Sequence, residues 1–514
     1  MMLPALVVAL LGTWFGHANP IAHMPGVVLL LPGMLFWLGL REPTPATAFR
    51  SGFFCAAAAY SASLYWVFIP VHVHGGLHWL LALPCPILLG MYLGLYGGAF
   101  SALIRWAHPV HSPLLLGLGA GLLWGGVELA QGTLFTGFSW LTLPAALAPW
   151  PVAIQGLAVV GEYGLSAILV TAVAWLVLAR ESKGFMTRGL ALGLTLFLVL
   201  ISLGALQLNR PLPEGTPLRV TLVQGNVDQT VKWESTYQEA TVRAYLDLTT
   251  RELGFEPELV VWPETAMPFY LQEDSALARQ VRDFVRSTQH LALLTGAPRY
   301  AVDLSTGAIQ YFNSAFLLGP NGETVGIYDK EHLVPFGEYV PLGGMLPFIR
   351  RLAHSEGDFT PGNDPAPLRW EHLALGMLIC YEAIFSGLSQ ERVRAGANLL
   401  VNISNDAWFG RSSAPRQHMY QAVLRSVEQG RFLVRSTNTG VTAIIDPRGR
   451  RLEAGGLFQR LTLSYPDVRL LEETTFFHRN AGAICILLPT AIGLFLGATW
   501  WMRRRVAHSQ KSAN

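Results

Sequence analysis

The sequence predicts a polytopic α-helical membrane bundle followed by an exported α/β domain and one closing membrane helix. Hydrophobic residues make up 51% of the 514 residues and charged residues only 14%, which is too apolar for an ordinary soluble enzyme. Only ten charged residues precede residue 210, whereas strand-like and helix-like segments alternate after it. We therefore predict four parts: a membrane bundle at 1–209, an exported domain at 210–478, a transmembrane helix at 479–503 and a cytoplasmic tail at 504–514.

The composition excludes several classes of protein. Lys and Arg number 36 and Asp and Glu number 34, so the formal charge of +2 leaves no basic surface that would follow a phosphate backbone, and nucleic acid is not an expected partner. The four cysteines are widely spaced and form no CxxC pair: Cys55, Cys85, Cys380 and Cys485. We therefore expect neither a disulfide framework nor a structural zinc, and we predict no metal and no cofactor.

Seven spans are predicted in the bundle, because a bilayer core about 30 Å thick takes roughly 20 apolar residues per helix. They lie near residues 3–17, 26–40, 51–70, 79–104, 113–130, 160–179 and 189–208. With the C-terminal helix the total is eight. Residues 1–19 could instead be a signal peptide, although they lack a basic start and a clear cleavage site.

Basic residues in the connecting loops predict the orientation. The connections at 41–50 and 180–188 carry Arg or Lys, as does the turn that holds Arg105. The intervening loops contain no Lys or Arg: 18–25, 71–78 and 131–159. By the positive-inside rule the basic connections and both termini face the cytoplasm, and the α/β domain lies on the other side.

In the exported domain, six apolar runs are predicted to be buried strands. They are Leu218–Val227, Glu258–Trp262, Leu291–Gly296, Thr324–Tyr328, Leu373–Cys380 and Asn398–Ser404. Leu277, Val281, Phe284 and Val285 repeat at helical spacing, which predicts a helix between two of them. Alternating strands and helices favour sheets covered by helices, and reactive side chains then collect beyond the carboxyl ends of strands.

Three predicted strands end in residues that can perform acyl chemistry. Glu264 lies at the end of the strand in ELVVWPET, Lys330 follows TVGIYD, and Cys380 ends LGMLIC. A thiol that attacks an acyl carbonyl needs a base, a donor for the developing oxyanion and an acid for the leaving group, and these residue types supply all of them. Taken singly, Cys380 could be a small buried hydrophobe, and Glu264 and Lys330 could be a structural ion pair. No G-x-S-x-G serine motif competes.

The chain resembles the bacterial apolipoprotein N-acyltransferase family of the nitrilase, or carbon–nitrogen hydrolase, superfamily. The matching segments are VQGNVDQTVKW (223–233), WPET (262–265), YDKEHLVPFGEYVP (328–341), ICYE (379–382), NISNDAWFG (402–410), the AP and QH pairs of 414–418, STNTG (436–440), FTGFSW (135–140) and GEYGLS (161–166). Ser139, where a proline is expected, and the absence of an acidic residue in 476–483 depart from the family pattern outside the catalytic set.

This resemblance implies a fold, a site and a reaction. The fold would be an α-β-β-α sandwich of nitrilase type, with Glu264 as base, Lys330 as oxyanion stabiliser and Cys380 as nucleophile. Glu338, Tyr381 and Glu382 would support them. The reaction would move an acyl chain from the sn-1 position of a phospholipid, through a Cys380 thioester, to the α-amine of a diacylglyceryl-cysteine on an apolipoprotein. The enzyme would lie in the bacterial inner membrane with its catalytic domain in the periplasm.

Several residues remain open at this stage. Aromatic residues of the matching segments could line an acyl groove, although each alone is more often an interfacial anchor or a core residue: Trp233, Trp408, Phe409, Phe138 and Trp140. The loop VHVHGGLH carries His72, His74 and His78, a weak metal candidate. Glu128 in the fifth span is costly in hydrocarbon and has either a functional or a packing role.

Two other functions compete with acyl transfer. A membrane-anchored amidase or nitrilase would pass the acyl group to water, and a catalytically inactive domain would serve as a lipoprotein-binding scaffold. Intact Glu264, Lys330 and Cys380 oppose the scaffold, because a binding module needs none of this chemistry. The bundle segments that resemble the acyltransferase family oppose the amidase.

Overall fold

The computed structural model describes residues 2–229, 232–305, 307–340 and 359–512, and the chain forms two compact units. The membrane unit comprises Met1–Val67, Leu83–Arg210 and Thr475–Asn514. The α/β unit comprises Phe68–Ala82 and Pro211–Thr474. Residues 68–82 therefore group with the α/β unit, whereas the sequence led us to predict them as part of the bundle.

Helices build the membrane unit. The long ones are Met2–Gly16, Leu30–Arg41, Pro45–Ser63, Pro84–Ala107, Pro113–Thr133, Leu157–Glu181, Met186–Asn209 and Phe476–Ser512. Proline begins three of them, where its fixed φ suits the first turn and its missing N–H leaves no bond unmade. The hydroxyls of Thr44 and Ser112 cap the helices that follow them.

The described helices that could cross a membrane number five by length and composition, or six if a bent pair counts as one span. That pair is Pro45–Ser63 with Tyr65–His74, which meet at a bend of 57°. Our single span at 51–70 is therefore broken after Ser63. Met2–Gly16 and Pro25–Arg41 are apolar but shorter. The total of eight spans remains a prediction.

Glu128 lies buried inside the membrane unit, and both of its carboxylate oxygens accept hydrogen bonds. Its Oε1 atom accepts hydrogen bonds from the backbone N–H of Leu143 and from Trp124 Nε1, each at 3.0 Å. Its Oε2 atom accepts one from the Ser166 hydroxyl at 2.5 Å. The Leu143 N–H opens the short helix Leu143–Leu147, whose first N–H groups have no partner within the helix. Glu128 thus has a packing role that holds this short helix against the bundle.

The α/β unit contains two six-stranded sheets. The strands are β1 Thr216–Gln224, β2 Leu259–Val261, β3 Ala292–Val302, β4 Ile309–Leu318, β5 Thr324–Asp329, β6 Leu368–Trp370, β7 Leu373–Ile379, β8 Leu399–Ser404, β9 Leu433–Thr437, β10 Ala443–Ile445, β11 Arg451–Ala454 and β12 Leu461–Leu470. The first sheet has the order β12-β1-β2-β3-β4-β5 and the second β11-β10-β9-β8-β7-β6. The longer helices among its described residues are Ser235–Glu252, Ala276–Thr288, Ser386–Arg394 and Ala414–Gln429.

The sheets face each other and helices cover their outer faces. Successive residues of one strand contribute to two different cores, one between the sheets and one under the helices, because side chains alternate across a strand. Leu259 and Val261 of β2 join a core that includes Leu375 and Val401 of the other sheet. Val260 between them packs with residues of the outer helices Ser235–Glu252 and Ala276–Thr288. The second sheet is covered by Ser386–Arg394 and Ala414–Gln429. The predicted α-β-β-α sandwich is confirmed.

The six predicted strands correspond to β1, β2, β3, β5, β7 and β8, and the predicted helix to Ala276–Thr288. Six strands were not predicted: β4, β6 and β9 to β12. Of these, β4 supplies a residue to the site described below. Most of the missed strands are short or mix polar residues into their sequence, so neither periodicity nor a long apolar run distinguishes them from loops.

The three histidines of the VHVHGGLH loop belong to no group of potential metal ligands among the described residues. His72 Nδ1 lies 2.8 Å from the Leu77 carbonyl oxygen. The His74 ring lies 5.0 Å from the Trp408 ring, edge to face, and the His78 ring 6.0 Å from that of Trp79. Each histidine therefore has a different neighbour, and the ring of His74 packs against the loop that holds Trp408.

Candidate active site

Cys380 begins a tight turn at the end of a buried strand. Strand β7 ends at Ile379, and Cys380 opens the 3₁₀ turn Cys380–Ile384. Its φ is 51°, a left-handed conformation that costs a residue with a Cβ roughly 1–3 kcal/mol. Such strain persists only where surrounding contacts hold it, and it is common at reactive side chains. The residue is 8% exposed.

Glu264 lies just beyond β2, with both carboxylate oxygens held. Its Oε1 atom accepts a hydrogen bond from Asn313 Nδ2 at 2.7 Å. Its Oε2 atom accepts one from the backbone N–H of Asn405, also at 2.7 Å. These bonds orient the carboxylate from two places, the middle of β4 and the residue that follows β8.

Lys330 directly follows β5 and is 1% exposed. Its Nζ atom lies 2.9 Å from Glu338 Oε1, 2.8 Å from Glu338 Oε2 and 3.8 Å from Glu264 Oε1. The Asn313 amide also donates to Glu338 Oε1 at 2.9 Å, so one amide nitrogen bridges the two carboxylates. Both acceptors are carboxylates, which fixes the amide nitrogen on this side.

Burial and nearby charges determine the protonation states of Lys330 and Cys380 before the reaction. Burial by itself would lower the pKa of the Lys330 ammonium, but the negative charges of Glu338 and Glu264 outweigh burial and hold that pKa above its ordinary value. Burial raises the pKa of the Cys380 thiol and the charge of Glu264 raises it further, while Lys330 opposes both. The lysine is therefore a cation and the thiol keeps its proton, so a base must remove that proton as the sulfur attacks.

Glu382 ties the turn after Cys380 to the segment after Lys330. Its Oε2 atom accepts the Ile379 N–H at 2.6 Å. Its Oε1 atom accepts the Tyr328 hydroxyl at 2.8 Å and the N–H groups of Glu331 and His332 at 2.7 and 3.1 Å. Glu382 therefore contacts the backbone beside both reactive side chains without touching either of them.

The ring of Tyr381 packs against two other rings beside this turn. Its ring lies 5.1 Å from Phe385, edge to face, and 5.8 Å from His332. This contact covers the turn that follows Cys380, and Tyr381 is 7% exposed.

Cys380, Asp406 and His418 form a second cluster, whose possible ligand atoms lie within 4.8 Å of one another. It is unsuited to a metal ion because a guanidinium already supplies the positive charge. Arg435 Nη2 lies 2.8 Å from Asp406 Oδ2 and 3.1 Å from His418 Nδ1. The cluster is instead a hydrogen-bond network beside the cysteine.

Trp233, one of the proposed lining residues, borders an aromatic cleft of about 670 Å³. The other lining residues are Gln238, Pro268, Phe269, Tyr270, Glu273, Pro298, Tyr311 and Phe359. The cleft adjoins the reactive group: Pro298 is the register partner of Asn313, and the Phe359 N–H donates to the Glu338 carbonyl at 3.0 Å. Its size is that of a ligand site for one small molecule or chain.

The remaining lining candidates differ in their surroundings. Trp408 and Phe409 are half-buried in the turn Asp406–Phe409 of the α/β unit. Phe138 and Trp140 belong to the membrane unit, where their rings stack at 6.0 Å. Trp140 is 2% exposed and packs on Trp66 at 4.8 Å, which makes it a core residue in this structure rather than the wall of an open groove.

Four residues in or beside the group of Glu264, Lys330 and Cys380 had no assigned role from the sequence: Asn313, Asn405, Asp406 and His418. Asn405, Asp406 and His418 lie in segments that carry the family resemblance, and that was the available signal. Asn313 lies in β4, a strand that the sequence did not predict.

We expect Asn313→Ala to slow acyl-enzyme formation by about 10- to 100-fold, because misplacing a reactive group by about 1 Å costs up to about 100-fold. The loss of one amide would leave Glu264 Oε1 and Glu338 Oε1 each without a donor. Single-turnover kinetics would measure the effect, with Asn321→Ala on an exposed turn as the control. Equal rates for both variants would contradict the bridging role.

The two facing sheets with their covering helices, and the grouped glutamate, lysine and cysteine, define the α/β unit as a domain of the carbon–nitrogen hydrolase class. The family model of that description, carbon-nitrogen hydrolase, matches residues 219–474. A second model, the apolipoprotein N-acyltransferase N-terminal domain, matches residues 11–175. The chain belongs to the apolipoprotein N-acyltransferase family.

Relatives that match over most of their length support the assignment of this chain to the family. A curated apolipoprotein N-acyltransferase from Geobacter metallireducens is 40% identical over 95% of this chain and 96% of its own length. Those from Nitrosomonas europaea and Pseudomonas syringae pv. tomato are 36% and 33% identical, over 85% and 90% of this chain and 84% and 91% of theirs. Among solved structures, an amidase from Nesterenkonia sp. is 20% identical, with a TM-score of 0.37, over 53% of this chain and 99% of its own.

Proposed function

We propose that this chain is an N-acyltransferase that moves an acyl chain from the sn-1 position of a membrane phospholipid to the α-amine of diacylglyceryl-cysteine at the N-terminus of an apolipoprotein. The observation that carries the proposal is the grouping of Glu264, Lys330 and Cys380 in a chain whose relatives are named apolipoprotein N-acyltransferase. The transfer would complete the maturation of the lipoprotein.

In the first half-reaction, Glu264 takes the thiol proton as Cys380 Sγ attacks the ester carbonyl. The carbonyl oxygen becomes an oxyanion, which the Lys330 ammonium stabilises without giving up its proton. The ester C–O bond then breaks, and the proton on Glu264 passes to the departing lysophospholipid oxygen. A thioester on Cys380 remains, and Glu264 is again a carboxylate.

In the second half-reaction, the α-amine of the apolipoprotein attacks the thioester carbonyl. Glu264 accepts a proton from the nitrogen, and Lys330 stabilises the second oxyanion. The C–S bond breaks, the sulfur recovers its proton from Glu264, and the amide leaves. One carboxylate therefore serves both halves, and this is possible because donor and acceptor occupy the site in turn.

The aromatic cleft beside the reactive group suits an acyl chain. Lifting a chain out of lipid costs about 0.8 kcal/mol per CH₂, and burial between rings such as Trp233 and Phe269 offsets that cost. The thioester must also outlast the wait for an apolipoprotein, so water has to be kept away from it. The apolar side chains of Trp408 and Phe409 are our candidates for that exclusion.

A two-stage labelling experiment tests this function. Incubation with phospholipid labelled in its sn-1 chain should release one lysophospholipid per active site and leave label on the Cys380 peptide that hydroxylamine removes. Addition of a diacylated lipopeptide should then move the label to its α-amine. Steady release of fatty acid into water without acceptor would favour the amidase, and unlabelled protein under every condition would favour the scaffold.

We also propose that the chain lies in the inner membrane with eight spans, both termini in the cytoplasm and residues 211–476 in the periplasm. The basic connections at 41–50 and 180–188 and the Arg503 to Arg505 run support this orientation. A reporter that is active only in the cytoplasm should be silent when fused after Asn209 and active when fused after Arg505. The reverse pattern would overturn the orientation.

A further inference from the structure

The backbone carbonyl of Cys380 is hydrogen-bonded to a buried histidine side chain. His418 Nε2 lies 2.9 Å from the backbone oxygen of Cys380, and the histidine is fully buried. A carbonyl oxygen only accepts hydrogen bonds, so Nε2 carries a proton and donates it here. This bond acts on the peptide unit that follows the left-handed φ of 51° at Cys380.

The other nitrogen of the same ring is held by a fixed ion pair. His418 Nδ1 lies 3.0 Å from Asp406 Oδ1 and 3.1 Å from Arg435 Nη2. Arg435 also contacts Asp406 Oδ2 at 2.8 Å and Asn402 through its other terminal nitrogen. All four side chains are completely buried, so neighbouring atoms rather than water set the orientation of the ring.

A second path leads from Asp406 to the thiol. The Ser404 hydroxyl donates to Asp406 Oδ1 at 2.8 Å, and Ser404 also hydrogen-bonds the side chain of Cys380. The network therefore reaches the nucleophile at two atoms, its carbonyl oxygen through His418 and its sulfur through Ser404. Both contacts converge on one carboxylate.

His418 is not placed to act as the base. Its Nε2 proton is directed to the carbonyl oxygen, and its Nδ1 atom faces Asp406 and Arg435. A cysteine, a histidine and an aspartate thus lie together without the arrangement in which an imidazole accepts the thiol proton.

We propose that His418, oriented by Asp406 and Arg435, is a positioning residue that fixes the left-handed backbone at Cys380 and so aims the thiol at the acyl carbonyl. The turnover part of this inference rests on the proposed acyltransferase function. The alkylation part does not, because any thiol reagent reports how the sulfur is presented.

Two substitutions at His418 distinguish the contributions of its two ring nitrogens. His418→Gln keeps an N–H donor at about the position of Nε2, whereas His418→Asn reaches only as far as Nδ1 and loses the bond to the Cys380 carbonyl. Asp406→Asn, which keeps the size of the side chain, removes the charge that orients the ring. His372→Asn, at an exposed histidine of the same unit, is the matched control.

The measurements are single-turnover acyl-enzyme formation and the pH profile of iodoacetamide alkylation, read by mass spectrometry on the Cys380 peptide. Each rate is divided by the folded fraction. We expect His418→Asn to slow acyl-enzyme formation by about 100-fold with little change in KM, and to change the alkylation profile. His418→Gln should recover at least tenfold of that loss, Asp406→Asn should fall between them, and His372→Asn should match the unmodified chain.

Three results would overturn the inference. One is wild-type rates in folded His418→Asn. Another is that folded His418→Gln is as slow as His418→Asn, which would deny the role of the donor. A third is loss of acylation in His418→Gln together with full activity in Glu264→Gln, which would make the histidine the base. Failure of the proposed function would look different: no thioester forms in any variant, while the alkylation differences persist.

Discussion

Cys380→Ala should abolish acyl transfer and leave no hydroxylamine-sensitive label on the protein, because the thioester has no other atom on which to form. Cys380→Ser should be nearly as inactive. A carboxylate can assist ionisation of a thiol, whereas an alcohol holds its proton much more firmly and is a weaker nucleophile under the same base. Both variants keep the small side chain that the tight turn after β7 requires, so we expect the fold to survive.

The matched control for this prediction is Cys485→Ser on the exposed side of the terminal helix Phe476–Ser512. Radiolabelled phospholipid, gel analysis and peptide mass spectrometry would measure acylation in each protein. The control should retain full labelling and turnover. Labelling that survives in Cys380→Ala but disappears in the Cys485 variant would place the nucleophile elsewhere.

Glu264→Gln should lower the rate of acyl transfer by about 100- to 10,000-fold, the usual contribution of a positioned general base. The same change should affect alkylation in the opposite direction. The charge of Glu264 is one of the causes that raise the pKa of the Cys380 thiol, after burial itself. A neutral amide removes that contribution, so the thiol pKa falls and more thiolate is present at a given alkaline pH.

We therefore expect faster alkylation of Cys380 by iodoacetamide in Glu264→Gln than in the unmodified protein, together with much slower acylation. A variant that was merely misfolded would not combine these changes with an unaltered circular dichroism spectrum. Glu453→Gln on the exposed strand β11 is the control and should change neither rate. Full acylation in Glu264→Gln would exclude it as the base.

The candidate site illustrates how far a single sequence leads. Glu264, Lys330 and Cys380 were located because each follows a recognisable apolar strand, and reactive side chains collect beyond the carboxyl ends of strands. Strands β2 and β5 belong to one sheet and β7 to the other, so the grouping of the three residues also depends on how the two sheets face each other. Asn313 could not be found in this way, because β4 mixes polar and apolar residues without a clear period. The side-chain amide of Asn313 also has a role only when the fold places two carboxylates within its reach.

The sequence by itself determined the division into an apolar bundle and an α/β domain, the family and the candidate reactive residues. Those properties depend on composition, on local periodicity and on segments that can be read along the chain. Only the tertiary structure decided which residues support them. Three features depend on residues that are separated in the chain. They are the grouping of 68–82 with the α/β unit, the burial of Trp140, and the bonds among Arg435, Asp406 and His418. Such contacts depend on packing and on hydrogen-bond geometry in a low-dielectric interior, which no local pattern encodes.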